Sequence, residues 1–316
     1  MSDKQQVTVD SFVRAESDTM FGRYVALGGF GRMFHIRRPT PIDQQDVIRM
    51  NRDTLYSLGI FDLASPLTIT KPDSDGRFQS MQVISEDHST VMVEYEPGEY
   101  ELTQDAVGTR YVAVLVRTFM DPKDAQDIAI ANALQDRIVV TQADSGTFDV
   151  PDWDQESLGR LRDAINVLAA TVHDASMMFG NKERLDPIYH LMGTAYGWGG
   201  NPREEAIYVN GVPTENDGVV PHTLTITNAP VDGFWSVTVY NAKGFMEPND
   251  RDTYSYNNVT AQKDESGGVT IHFGGDPSAP NYLEITPGWN YVIRAYKPGA
   301  ALLDGSWTFP DAVPAT

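Results

Sequence analysis

Apolar residues near the N-terminus recur at the three- and four-residue spacings of one helix face. They are Val9, Val13, Met20, Tyr24 and Leu27. Gly28-Gly29 follows directly, and glycine is common just beyond the end of a helix. The pattern therefore predicts an N-terminal helix that ends before Gly28.

The pattern changes to short strands between residues 51 and 140. Valine occupies every second position of the segment 112–116, as expected for a strand. Asp75-Gly76 is a dipeptide typical of tight hairpin turns, and it precedes a predicted strand at 77–85. A helical insert is predicted at 122–135, because a proline opens this segment and proline suits the first turn of a helix.

A longer helix is predicted in the middle of the chain. Its apolar residues step by three or four, and they are Leu158, Leu161, Ile165, Leu168, Val172 and Ala175. Asp152 and Gln155 have the spacing of a capping box, in which side chains satisfy the free backbone N–H groups of the first turn. Gly180-Asn181 is the expected end. We expect this helix to pack across the junction between two β units.

Strands return after Asn201-Pro202, separated by turns rich in Gly, Pro, Asn and Asp. They are predicted at 224–227, 234–240, 269–273 and 291–296. Many short strands without βα alternation favour antiparallel sheets. The predicted fold class is mainly β with helical segments (α+β), with two antiparallel β-sandwich or jelly-roll domains joined by a helical linker. The predicted boundaries are a helical segment at 1–40, a β domain at 41–150, the linker at 151–203 and a second β domain at 204–316.

The net charge of the chain limits the kinds of molecule that it is expected to bind. The formal net charge is −20, from 44 acidic and 24 basic residues among 316, and this opposes binding to nucleic acid or to an anionic membrane. The chain has no cysteine, which excludes thiol chemistry and disulfides. The N-terminus lacks the apolar core of a secretory signal. We therefore expect a cytoplasmic protein, or a periplasmic or secreted one if a leader has been removed.

Four separated motifs together identify a family. They are Asn51–Tyr56; Tyr196–Pro202, which leads to Tyr208; Phe234–Tyr240; and Tyr291–Tyr296, continued by Pro298-Gly299 and Leu303–Trp307. From about residue 20 onward the chain resembles the bacterial family that pairs an N-terminal DUF1254 domain with a C-terminal DUF1214 domain. The resemblance implies two β-sandwich or jelly-roll units joined by helices. It implies no function, and no catalytic residue is carried over from it.

The segment 51–57 is unusually polar for the start of a buried strand. Six of its seven residues carry hydrogen-bonding side chains, and each one left unpaired after burial would cost about 1–3 kcal/mol. Strand alternation places Arg52, Thr54 and Tyr56 on one face and Asn51, Asp53 and Leu55 on the other. As a site, Arg52 would keep Asp53 ionised and Tyr56 would act as an acid or base. As a structural network, Arg52 would bind carbonyl groups and Asp53 would cap a turn.

Three further residues are candidates for ligand binding. Trp198 lies among three glycines and would either stack on a ring or anchor a turn. Tyr240 is predicted to line a surface or cleft, because its strand neighbours on the other face are apolar. Arg294 would either bind a ligand carboxylate in a bidentate manner or pair internally with Glu284 or Asp304.

Known catalytic signatures do not occur in the chain. It has no G-x-S-x-G elbow, no H-E-x-x-H motif and no Walker loop. The histidines are His35, His88, His173, His190, His222 and His272, and no two have metal-ligand spacing on one element. We therefore expect no cofactor and no metal.

The leading hypothesis is a cofactor-independent hydrolase or lyase that acts on a small soluble molecule, anionic or sugar-like. Its pocket is predicted between the two β domains and the linker helix. Asp53 or His88 would be the base and Tyr56 the acid. Arg52 and Arg294 would neutralise an anion.

Two alternatives belong to other functional classes. A non-catalytic module would hold a carbohydrate or another small molecule on Trp198 and Tyr240, and this requires an open aromatic face. A structural protein would assemble into homo-oligomers, and this requires a large exposed apolar patch. Under both alternatives we expect neither nucleic acid nor a membrane to be a partner of the chain.

Overall fold

The computed structural model describes residues 4–45, 48–172 and 174–315. Within them the chain is mainly β, with several antiparallel sheets and helices between them, which confirms the predicted fold class. Among the described residues, no helix is both long and apolar enough to cross a membrane.

The chain divides into two compact units, and neither is one continuous segment. Unit 1 comprises Met1–Arg37, Leu55–Phe119 and Ala129–Arg203. Unit 2 comprises Arg38–Thr54, Met120–Ile128 and Glu204–Thr316. The contiguous domain boundaries derived from the sequence stay a prediction.

Unit 1 contains a five-stranded sheet and a three-stranded sheet. The first has the order β1 (Phe34–His35), β2 (Thr54–Asp62), β7 (Tyr111–Phe119), β4 (Gln79–Ser85) and β5 (Thr90–Glu94). The second has the order β6 (Gly98–Leu102), β3 (Leu67–Lys71) and β8 (Val139–Gln142). Phe61, Val83 and Val114 of the larger sheet and Ile69 of the smaller sheet are buried in one apolar core. Unit 1 is therefore built on a β-sandwich.

Five helices lie between residues 12 and 197 of the described chain. They are α1 (Phe12–Ala26), α2 (Gln104–Val107), α3 (Ala125–Asp136), α4 (Gln155–Ala169) and α5 (Pro187–Gly197). Phe21 of α1 packs with Leu58 and Ala113 of the sheet. Phe12 of α1 packs with Leu158 of α4 in a separate helical core. This arrangement places α1 between the sheet and α4.

The predicted helix limits differ from the observed ones. Helix α1 ends near the predicted glycines, but Val9 lies before its first residue. Helix α4 is capped by Asp154, whose carboxylate accepts a hydrogen bond from the backbone N–H of Ser157, so the predicted cap at Asp152 is wrong. Helix α4 ends at Ala169, so Val172 and Ala175, the last residues of its predicted apolar pattern, are not helical. Leu168 lies in the last turn and is exposed.

The turn at Asp75-Gly76 is observed, but it does not form a hairpin. Both residues have positive φ, 53° and 77°, as the tightest two-residue turns require. Strand β3 before the turn pairs with β6 and β8, whereas β4 after it pairs with β5 and β7. The turn therefore carries the chain from one sheet of the sandwich to the other.

Unit 2 contains a second sandwich. One sheet has the order β12 (Ser255–Asn257), β11 (Trp235–Tyr240), β15 (Asn290–Tyr296) and β9 (Ala206–Gly211). The other has the order β14 (Tyr282–Leu283), β13 (Val269–Phe273), β10 (His222–Ile226) and β16 (Val313–Pro314), and a short helix, α6 (Ala300–Leu303), follows β15. Trp235 and Val237 of the first sheet and Phe273 of the second lie in one core. The prediction that Trp235 faces the core is confirmed.

Candidate functional site

The residues singled out from the sequence fall into both units. Unit 2 contains Arg52, Asp53, Tyr240 and Arg294, and unit 1 contains Tyr56, His88 and Trp198. His173 lies outside the described residues.

Arg294 is the centre of a buried network in unit 2. Its guanidinium donates hydrogen bonds to Thr238 Oγ1 at 3.0 Å, to Tyr240 Oη at 2.7 Å and to the Arg49 carbonyl at 2.6 Å. Tyr240 Oη in turn donates to the Met50 carbonyl at 2.7 Å. Strands β11 and β15 thus hold the segment 49–50 against their sheet.

This network corrects two sequence-based predictions. Tyr240 is only 1% exposed, so it does not line an open surface, which was one of its two predicted placements. Neither Glu284 nor Asp304 is the partner of Arg294, because neutral oxygen atoms accept its hydrogen bonds. Alternation identified the face on which Tyr240 lies, but another buried cluster, including Met246, covers that face.

Asp53 lies in the same unit and is completely buried. Its Oδ1 accepts a long hydrogen bond of 3.4 Å from Asn257 Nδ2. Burial raises the pKa of Asp53, while the neighbouring Ser236 hydroxyl, the Arg294 charge and the Asn257 amide act in the opposite direction. Neither Asp53 Oδ2 nor Ser236 Oγ has a partner with ordinary hydrogen-bond geometry among the described residues.

Arg52 does not keep Asp53 ionised as predicted. It forms an ion pair with Asp252 at 3.2 Å, and its guanidinium lies 5.1 Å from the centre of the Tyr254 ring. The strand begins at Thr54, so the alternation expected from Asn51 onward applies only from that residue. The polar start of this segment is thus satisfied largely by contacts within unit 2.

His88 in unit 1 is held as a neutral ring. Its Nε2 accepts a hydrogen bond from the Gly199 backbone N–H at 2.9 Å, so Nδ1 carries the hydrogen and faces Thr194 Oγ1 at 2.8 Å. Burial, and then the nearby His190, lower the pKa of His88 to about 3. The ring stacks on Trp198 at 5.4 Å. These contacts favour a structural role, because the lone pair that a base needs is already occupied.

Trp198 is anchored to α1. Its Nε1 donates to Ser17 Oγ at 3.1 Å, and its ring meets Phe21 edge to face at 5.8 Å. Tyr56 is half-buried, with the Arg117 guanidinium 5.6 Å from its ring centre. Tyr56 and Trp198 therefore pack within unit 1, and their predicted roles in a reaction stay predictions.

Sequence reasoning missed Arg117, a buried arginine in β7. Its guanidinium donates to Gln82 Oε1 at 2.8 Å, to Asn201 Oδ1 at 3.1 Å and to the Gly199 carbonyl at 3.0 Å. The available signal was a charged residue directly after the apolar run 111–116. Arg117 holds the loop that also contacts His88.

The most unusual electrostatic feature of unit 1 is a buried pair of carboxyl groups, Asp18 and Glu86. Asp18 lies on α1 and is 2% exposed, while Glu86 follows β4 and is 6% exposed. The two groups are neighbours, and each one acts on the pKa of the other. Trp153 Nε1 donates to Asp18 Oδ2 at 2.8 Å. A hydrogen bond between two carboxyl groups forms only when one of them is protonated.

Arg14 and Asp87 lie beside the carboxyl pair. The Arg14 guanidinium is 3.6 Å from Glu86 Oε2 and forms a short ion pair with Asp87. The side chains of Arg14 and Asp87 are each 40% exposed, so they connect the buried pair to solvent. We call Arg14, Asp18, Glu86, Asp87 and Trp153 the carboxyl centre.

Burial is the main cause of the shifted protonation in this centre. It raises the pKa of Glu86 to about 7; the interaction with Asp18, which accepts from protonated Glu86, also raises it, and the Arg14 charge opposes the shift. Burial also raises the pKa of Asp18, while hydrogen bonds from Trp153 and Glu86 act against the rise. The pair therefore retains a proton near neutral pH.

The chain matches two family models, both described as proteins of unknown function. The DUF1254 model matches residues 30–142 and the DUF1214 model matches residues 209–300. The chain belongs to the two-domain DUF1254/DUF1214 family. The search of curated proteins gave no match.

Solved structures show the same fold in this DUF1254/DUF1214 protein and in two others. The crystal structure of the VPA0106 protein from Vibrio parahaemolyticus aligns with a TM-score of 0.74 at 17% identity, covering 98% of each chain. A putative uncharacterised protein from Burkholderia cenocepacia aligns with a TM-score of 0.50 at 13% identity, covering 96% of this chain and 86% of that one. At these identities the likeness concerns the fold alone.

The carboxyl centre of this DUF1254/DUF1214 protein combines residues from inside and outside the family-model matches. Glu86 and Asp87 lie within the DUF1254 match, whereas Arg14 and Asp18 precede it and Trp153 follows it. Sequence reasoning missed the centre because no local spacing connects these residues. The available signal was Arg14 and Asp18, which stand four residues apart and therefore share a face of α1.

Proposed function

We propose that the chain is a cofactor-independent acid–base enzyme, a hydrolase or lyase, that acts on a small soluble molecule at the carboxyl centre of unit 1. The observation that carries this proposal is the buried pair of neighbouring carboxyl groups, Asp18 and Glu86, each of which acts on the pKa of the other. Paired carboxyl groups in different protonation states supply the acid and the base that cleavage of a polar bond requires.

The surroundings assign a role to each carboxyl group. Trp153 donates a hydrogen bond to Asp18, which favours the ionised form and makes Asp18 the base. Glu86 holds the shared proton and is the acid. Its pKa of about 7 is suited to proton transfer near neutral pH. The two groups titrate as a pair, so these roles describe the state with one proton.

Hydrolysis and elimination can both use Asp18 as the base and Glu86 as the acid. In hydrolysis, Asp18 takes a proton from the attacking water and Glu86 gives its proton to the leaving group. In elimination, Asp18 takes a proton from carbon and Glu86 protonates the group that departs. In both, one proton enters the centre and one leaves it, so the pair ends with the protonated and ionised groups exchanged. Transfer of the proton from Asp18 back to the neighbouring Glu86 restores the first state.

The test is a turnover screen on small esters, glycosides and hydroxy acids, with the purified full chain. We expect wild-type turnover of at least one class, and a loss of about 100-fold or more in Glu86→Gln, the range over which general acid–base groups act. Glu99→Gln is the matched control, because Glu99 is exposed on β6. Turnover that survives in Glu86→Gln with an unchanged pH profile would overturn the proposal.

The same screen separates this site from the one predicted from the sequence. Asp53→Asn alters the buried carboxyl group of unit 2 and leaves the carboxyl centre intact. If Asp53→Asn abolishes turnover at unchanged melting temperature while Glu86→Gln does not, the active site lies at Asp53. We expect the reverse.

A further inference from the structure

His190 of α5 lies beside the carboxyl centre and contacts it through the backbone of Asp87. His190 Nε2 is 3.0 Å from the Asp87 carbonyl oxygen, and because a carbonyl oxygen only accepts, Nε2 carries the hydrogen of this bond. The other ring nitrogen, Nδ1, is buried without a hydrogen-bond partner among the described residues. Within the part of the chain that the structure describes, the Asp87 carbonyl is therefore the one polar partner of this ring.

The His190 ring is itself held in place by His88. The Gly199 backbone N–H donates to His88 Nε2, His88 Nδ1 donates to Thr194 Oγ1, and Thr194 Oγ1 donates to the His190 carbonyl at 2.9 Å. The two imidazole rings are nearly parallel, with an angle of 22° between them and 5.5 Å between their centres. His88 thus supports one side of the His190 ring.

The turn that carries Glu86 and Asp87 is fixed at two successive residues. His88, the next residue in this turn, has a φ of 60°, which lies in the left-handed region that few residues other than glycine adopt. Such a conformation persists only where its surroundings hold it. The Glu86 backbone N–H donates to Thr109 Oγ1 at 3.1 Å, and His190 binds the Asp87 carbonyl.

Arg14 connects this turn to α1. Its guanidinium forms a short ion pair with Asp87 and lies 3.6 Å from Glu86 Oε2. The side chain of Arg14 is 40% exposed, so the ion pair with Asp87 determines where its guanidinium lies. The titratable and charged groups around Glu86 are Arg14 and Asp18 from α1, Asp87 from the turn, Tyr111 from β7 and His190 from α5.

We infer that His190 is a positioning residue of the carboxyl centre, which holds the Asp87 backbone and thereby keeps the Arg14 guanidinium beside Glu86. This inference rests on the proposed function, because it concerns the group that tunes the proposed acid. The Arg14 charge opposes the rise that burial causes in the pKa of Glu86. A loosened Asp87 would draw Arg14 toward solvent, and the pKa of Glu86 would then lie above about 7.

The His190→Phe variant tests this role, because it keeps an aromatic ring against His88 and removes the Nε2 donor. An opposite charge 4–6 Å away moves a carboxyl pKa by about 1–3 units, so a weakened Arg14 contact should raise the Glu86 midpoint by about half a unit or more. His190→Gln retains an N–H donor near the position of Nε2 and should restore a midpoint of about 7. Carbon-13 NMR of the carboxyl carbons of the full chain measures each midpoint without substrate.

A double-variant cycle shows whether His190 acts through Arg14. Arg14→Met alone should raise the Glu86 midpoint at least as far as His190→Phe does. The two changes together should raise it no further than Arg14→Met alone, because the group through which His190 acts is then absent. Leu191→Ala is the matched control, since Leu191 packs in the helical core and its loss loosens α5 without removing the donor.

The inference would be overturned by an unchanged or lowered midpoint in His190→Phe, by no recovery in His190→Gln, or by an equal shift in Leu191→Ala. An equal effect of His190→Phe with and without Arg14 would overturn it as well. His190→Met also lacks the donor and serves the same comparison if His190→Phe does not fold. These titrations decide the role of His190 even if the chain turns over no substrate, a result that would refute the proposed enzyme alone.

Discussion

At the scale of single residues, burial outweighs charge pairing in setting protonation. Asp53 and Glu86 are both buried carboxyl groups with an arginine nearby, and burial raises the pKa of each despite that arginine. Asp62 shows the opposite result, because Arg110 hydrogen-bonds it directly and lowers its pKa. Direct contact with the guanidinium, and not mere proximity, decides which carboxyl group stays ionised.

The raised pKa of Glu86 predicts a pH-dependent stability. An ordinary glutamate titrates at 4.5 and folded Glu86 at about 7, so the folded state binds the proton more tightly. This contribution is complete below about pH 4.5 and is lost as the pH rises through about 7. A shift of this size corresponds to about 3 kcal/mol of unfolding free energy.

Glu86→Gln mimics the protonated form and should remove most of this slope from the free energy of unfolding. The difference between wild type and variant is the quantity to measure, by urea unfolding across this pH range. His88 has the opposite dependence, since its lowered pKa favours folding at higher pH, and the subtraction cancels it. Identical slopes in both proteins would contradict the assignment, and Glu99→Gln controls for the loss of one exposed negative charge.

The sequence predicts only part of the candidate site, because each sequence pattern reports on residues that are close together in the chain. Alternation placed Trp235 toward the sandwich core and Tyr240 on the opposite face, and both placements hold. It said nothing about what covers that opposite face, so Tyr240 was expected to be accessible. The contact between Asp18 and Glu86 joins α1 to the end of β4, and no local pattern encodes such a pairing.

At the scale of elements, strands were predicted more accurately than helix ends. Strand β13 was predicted with its observed limits and β15 within one residue, because their apolar runs are bounded by turn residues. Helix α4 was extended past Ala169, since the apolar pattern continues beyond the last helical residue. The hairpin expected at Asp75-Gly76 failed because turn geometry is local, whereas the choice of pairing strand is not.

The cap of α4 provides a matched pair of variants. Asp154→Ala removes the side chain that accepts from the Ser157 N–H, so it should lower the melting temperature by roughly 2–4 °C. Asp152→Ala changes the residue that the sequence favoured as part of the cap and should have little effect. Differential scanning fluorimetry distinguishes the two. Equal losses in both variants, or a larger loss in Asp152→Ala, would show that the cap is misassigned.

At the scale of the whole molecule, the two units share the same structural features. Each is a sandwich with its own apolar core, and each places a buried arginine on a central strand, Arg117 in unit 1 and Arg294 in unit 2. Each arginine binds backbone carbonyl groups of an irregular segment and holds it against a sheet. Several polar residues singled out from the sequence thus belong to structural networks. The carboxyl centre differs from them because it holds two neighbouring carboxyl groups with raised pKa.

The most direct test of this account is the titration of Glu86 itself. Carbon-13 NMR of side-chain carboxyl carbons, recorded from about pH 4 to about pH 9 with Glu86→Gln to assign the signal, reports its protonation in the folded protein. The account predicts a midpoint of about 7 for Glu86, with Asp18 coupled to it. A midpoint near the ordinary 4.5 would show that the pair shares no proton at neutral pH and would contradict the proposed acid.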